Sequence, residues 1–119
     1  MLSLYSKTNV LELEFNDFKD EKISNSAFKN KNGLVSFYAP WCFHCKKMRD
    51  TWINLADNFG DRFIISAINI EDFTKGNDKL LFTFKVKKYP TFFFIKNKKL
   101  IPYKEKNIDN MVYFIWNNL

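Results

Sequence analysis

Trp41-Cys42-Phe43-His44-Cys45 decides the reading of this chain, because Cys42 and Cys45 are its only cysteines and stand three positions apart. A disulfide stabilises a fold mainly by restraining the unfolded chain, and more so as its loop lengthens, so a bridge this short restrains very little. Chemistry explains the pair better than structure does. Upstream, Leu34-Val35-Ser36-Phe37-Tyr38-Ala39 reads as a buried strand stopping at Pro40, after a turn at Asn32-Gly33. Downstream, Cys45, Met48, Trp52, Leu55 and Phe59 recur at spacings of three and four, one face of a helix over Cys42 to Phe59 that Gly60 ends. The cysteines therefore stand where a strand hands over to a helix.

That placement suggests their roles. A cysteine in the first helical turn faces unpaired backbone N–H groups and the positive end of the helix dipole, both of which favour thiolate over thiol. Cys42, expected to be exposed there, is the candidate nucleophile. Cys45, one turn further in, is expected to be more buried, to hold its proton more tightly, and to lie close enough to attack a mixed disulfide at Cys42. His44 is the only histidine in the chain. Protonated, it would stabilise the Cys42 thiolate and make the disulfide more oxidising.

Outward from this centre the pattern alternates. Val10 to Glu14 reads as a half-buried strand, and Asn16-Asp17 as the cap of a helix from about Phe18 to Lys29. Phe63 to Asn69 reads as a second buried strand and Asp78 to Phe84 as a short helix. Thr91 to Lys96 and Lys99 to Tyr103 read as a hairpin around Asn97-Lys98, and Ile108, Met111, Val112, Ile115 and Leu119 as the apolar stripe of a terminal helix. Strands alternating with helices, then a hairpin and a last helix, predict an α/β domain with a central mixed sheet covered on both faces. The 119 residues, 46% of them apolar and 14 of them phenylalanine, suit one domain over 1–119.

The +6 net charge comes from 17 lysines against two arginines. So little arginine argues against bidentate reading of bases or phosphates, so the charge reads as solvated surface and no nucleic-acid partner is expected. No window approaches the roughly 18 apolar residues of a membrane span. Met1-Leu2-Ser3-Leu4-Tyr5-Ser6-Lys7 has no basic start, apolar stretch or cleavage site, and the C-terminal Trp116-Asn117-Asn118-Leu119 is no retention signal. A cytoplasmic location is favoured on that ground, a lumenal one being the alternative. A monomer is expected.

Three segments in this order carry a resemblance: Val10-Leu11-Glu12-Leu13, then Phe37-Tyr38-Ala39-Pro40-Trp41-Cys42 leading into Cys-X-His-Cys, then Val86-Lys87-Lys88-Tyr89-Pro90-Thr91. Together they resemble the thioredoxin superfamily, and within it the catalytic domains of protein disulfide isomerases. The resemblance implies the thioredoxin fold and a redox-active Cys42–Cys45 disulfide that exchanges with protein thiols and disulfides. It implies no cofactor, but does imply a redox partner that recycles the pair. It also implies a cis Tyr89-Pro90 bond beside the cysteines, in a loop whose backbone pairs with extended substrate. Trp41, Phe43, Tyr89 and Pro90 are then the candidate substrate contacts.

The sequence departs from that family at several positions. Phe43 takes the place of a glycine usual in isomerase sites, and either packs on apolar substrate or folds onto Trp41. Ser36 stands where the family carries a buried acid beneath the cysteines, and Ala67 where that acid has its lysine partner. Asp50 replaces a helix-kinking proline, so a straighter helix is expected. Lys106 falls where isomerase domains carry an arginine that approaches the site. Ser36, Ala67 and Phe43 support a rival reading, a binding module with slow or no redox turnover. A metal site is a third reading, disfavoured because Cys42, His44 and Cys45 cannot all face one ion from a single turn and no fourth ligand is apparent.

Overall fold

Strand β4 (Gly33–Tyr38) runs through the middle of the molecule, and all six of its residues are buried. A strand buried along its whole length needs cover on both faces. The computed structural model describes residues 3–119; Met1 and Leu2, which open the N-terminal stretch discussed above, lie outside the described residues. The other strands are β1 (Leu11–Leu13), β2 (Phe18–Lys19), β3 (Lys22–Ile23), β5 (Ile64–Asn69), β6 (Thr91–Lys96) and β7 (Lys99–Tyr103). They form one sheet in the order β1-β5-β4-β6-β7-β3-β2. The pairs β1·β5 and β5·β4 are parallel and the rest antiparallel, which makes the expected mixed sheet.

Side chains of β4 alternate between two cores. Leu34 and Tyr38 join a cluster with Cys45, Trp52, Leu55 and Phe59 of helix α1 (Phe43–Phe59) and Met111 and Ile115 of helix α3 (Ile108–Trp116). Val35 and Phe37 point the other way, toward Leu80 of helix α2 (Lys79–Thr83) and Phe28 of a 3-10 turn, Ser26–Phe28. Trp52 fixes α1 to the sheet: its ring stacks on Phe92 at 4.9 Å and its indole N–H donates to the Ser66 carbonyl at 2.8 Å. Arg49 ties the same helix to the N-terminal segment by donating from Nε to the Leu4 carbonyl.

Four expectations need correction. Phe18 to Lys29 is not a helix: Asp20 and Glu21 both take positive φ, turning the chain so that β2 pairs with β3. Asn25, not Asn16-Asp17, caps the short 3-10 turn that follows, by accepting from Ala27 N. Gly33 opens β4 instead of making a turn. Its lack of a side chain matters for close approach, since a Cβ there would run into the Ile64 carbonyl oxygen and lie 2.7 Å from the Phe28 ring. In the terminal helix only Met111 and Ile115 of the stripe are fully buried, whereas Ile108 and Leu119 are exposed. The Asn97-Lys98 hairpin is present, with both residues at positive φ (50° and 69°) as a tight primed turn requires. No helix among the described residues is long and apolar enough to cross a membrane.

Candidate active site

Cys42 is the N-cap of α1, its backbone extended (φ −73°, ψ 123°) and its carbonyl accepting from Lys46 N at 3.0 Å. No side chain caps this helix end, which leaves its first-turn N–H groups without a side-chain partner. Cys42 is less exposed than expected, at 6%, because it packs in the core cluster with Ala39 and under the loop before β6; Cys45 is 1% exposed. Both are free thiols. Burial first, and the neighbouring Cys42 thiol second, push the Cys45 thiol up to about 12. Cys45, the inner cysteine, therefore holds its proton tightly.

The loop before β6 completes the site. Its Tyr89-Pro90 bond is cis, as the resemblance implied. The Cys42 thiol donates to the Tyr89 carbonyl at 3.6 Å, which places Pro90 next to the outer sulfur. Tyr89 meets Trp41 edge-on at 5.9 Å, and the Trp41 indole N–H donates to Glu71 at 2.9 Å. Glu71 lies two residues past the end of β5, and nothing in the sequence marked it out.

Phe43 does not fold onto Trp41. It is 67% exposed, with the His44 ring edge-on at 5.8 Å and the Lys47 ammonium 5.4 Å from its centroid. Trp41 is 61% exposed, so two large aromatic surfaces flank the cysteine pair. His44 is itself exposed at the start of α1. α1 runs unbroken past Asp50. Lys106 lies on the rim of a surface groove that also contains Pro90.

Ser36 and Ala67 are directly paired on β4 and β5, and both are buried. Ala67 is paired in turn with Glu12 on β1, so one row across the sheet reads Glu12, Ala67, Ser36. The acid in this row stands at the exposed sheet edge, where Tyr38 donates to it at 3.2 Å and Ser3 also donates to it. Tyr5 packs edge-on against Tyr38 at 5.3 Å, and burial holds both phenols well above the usual tyrosine range. This tyrosine cluster was not foreseen; Tyr5 lies in a segment with no periodicity. Among the described residues no three His, Cys, Asp or Glu side chains converge as a metal site would need.

Comparison with known proteins shows the family and agrees with the fold. The thioredoxin family model matches residues 9–115. Protein disulfide-isomerase A5 of Mus musculus is 36% identical over 95 residues, covering 80% of this chain and 17% of that protein. The Bos taurus counterpart is 34% identical over 101 residues, covering 85% of this chain and 18% of that protein. The chain thus spans less than a fifth of the length of these relatives. The first thioredoxin domain of mouse protein disulfide-isomerase A4 superposes with a TM-score of 0.71 at 23% identity, over 92% of this chain and 74% of that one.

Proposed function

We propose, from the premise that this chain belongs to the thioredoxin family and resembles its disulfide-isomerase members, that it exchanges disulfides with protein substrates through Cys42 and Cys45. The observation that carries this reading is the placement of Cys42. It caps a helix whose N–H groups are free, beside the Tyr89 carbonyl, with Cys45 one turn behind it.

In the reducing direction the Cys42 thiolate attacks one sulfur of a substrate disulfide. A Cys42–substrate S–S bond forms, the substrate S–S bond breaks, and the departing thiolate takes up a proton. Cys45, giving up its own proton, then attacks Cys42 Sγ: the Cys42–Cys45 bond forms and the second substrate thiolate leaves and is protonated. The cysteine pair gives the substrate two electrons; of the two protons the substrate thiols take up, one balances the proton Cys45 releases and the other the proton Cys42 released in forming its thiolate. Run backward, the same steps oxidise a substrate dithiol. The compartment's redox poise and a recycling partner set the direction, and His44 tunes the potential.

The rival reading, a binding module with little turnover, is favoured by the buried Ser36 and Ala67 and by the strongly held Cys45 proton. Trapping separates the two. Cys45→Ser should accumulate mixed disulfides through Cys42 with a protein substrate, while Cys42→Ser should accumulate few. Equal trapping by both variants would overturn the role assignment, and none by either would favour the binding module.

A further inference from the structure

A groove of about 420 Å³ begins at Pro90, the residue after the carbonyl that touches Cys42, and runs along β6 and β7. Its floor is largely apolar, with Pro90, Phe92, Pro102 and Tyr103 among the lining residues. Lys85, Lys88, Lys104 and Lys106 also line it, and no acidic side chain does. All four lysines are exposed. The ion pairs among the described residues are Lys31–Asp61, Arg49–Asp50 and Lys75–Glu14, so none of the four is neutralised. Glu105, the acid nearest in sequence, is engaged elsewhere. Its carboxylate accepts from the Lys106 and Asn107 backbone N–H groups at 2.9 and 2.8 Å and from Asn110 Nδ2 at 3.0 Å, at the start of α3.

An apolar floor beneath an uncompensated one-sign rim selects an occupant that is partly apolar and oppositely charged. We propose that this groove seats an extended acidic segment of the protein substrate, next to the cysteine that exchanges with Cys42. The chain would then prefer disulfides flanked by Asp or Glu together with an apolar residue. This proposal rests on the oxidoreductase reading above and names its substrate class. An acidic protein segment fits better than a nucleic acid because the groove has no arginine and its floor joins the substrate loop.

The test uses two peptides with the same disulfide and apolar neighbours, one flanked by glutamates and the other by lysines, and a small neutral disulfide as reference. The acidic peptide should exceed the basic one by about tenfold in kcat/KM at low salt, the gap narrowing as salt screens the rim. In the Lys85→Glu/Lys88→Glu/Lys104→Glu variant the ratio of the two should invert. Because the readout is a ratio, a general loss of activity does not mimic the effect. Equal rates on both peptides, or a preference that survives charge reversal, would overturn the proposal. If even the neutral disulfide is not turned over, the redox reading fails separately. Binding of cysteine-free versions of the peptides then decides the groove alone. Acidic binding that is lost on charge reversal supports it, whereas equal binding, or tighter binding of a single-stranded oligonucleotide, contradicts it.

Discussion

Cys45 is the residue whose environment most constrains the chemistry. Its thiol is pushed up to about 12, chiefly by burial, and Ser36, buried on β4, offers only a hydroxyl. The proton lost in the resolving step must therefore leave through water or another group, and resolution should be slow beside attack. The same shift affects stability. Between the ordinary thiol range near 9 and about 12 the unfolded chain releases the Cys45 proton while the folded chain keeps it. The unfolded state binds fewer protons there, so folding stability is intact below about 9 and falls as pH rises toward 12. The reduced protein should lose stability across that window more steeply than Cys45→Ser, in urea unfolding at a series of pH values. Tyr5 and Tyr38, also raised by burial, add a loss that is common to both proteins. Matching slopes for parent and variant would show that the Cys45 thiol is not held in this way.

At the scale of elements, the approach of β4 to β5 is set where Gly33 meets Ile64. Gly33→Ala would press a methyl into the Ile64 carbonyl and the Phe28 ring, and a backbone atom in a paired strand cannot step aside. A loss of about 2 kcal/mol is expected, read as a lower urea midpoint with unchanged slope. A variant as stable as the parent would mean that the strands can part there. Elements with strong local signals were legible in the sequence. α1 has its 3.6-residue face and Gly60 stop, and the β6–β7 hairpin has Asn97 at its turn. The Phe18 to Lys29 segment was misread because Asp20 and Glu21 take positive φ with no glycine or proline to announce a turn. β2 exists by pairing with β3, and β3 by pairing also with β7, a tertiary effect that no local window contains.

At the scale of the molecule, the sheet order brings together parts of the site that lie far apart in sequence. The β4–α1 junction supplies Trp41 to Cys45, the end of β5 supplies Glu71, and the loop before β6 supplies Tyr89 and Pro90. The cysteines were legible from their spacing at a strand-to-helix junction, and the cis-proline loop through the family resemblance that the three ordered segments carry. The lysine rim was not, because Lys85 and Lys88 meet Lys104 and Lys106 only once β6 and β7 fold back between them. The central claim is that Cys42 and Cys45 form one reversible two-electron couple. Titrating the purified protein against a glutathione redox series and counting free thiols tests it most directly. A single transition between two free thiols and none is expected, absent from both Cys42→Ser and Cys45→Ser, with about 30 mV for each tenfold change in the exchange equilibrium. Thiols that stay reduced across the series, or that become linked only to glutathione with no internal disulfide, would contradict it.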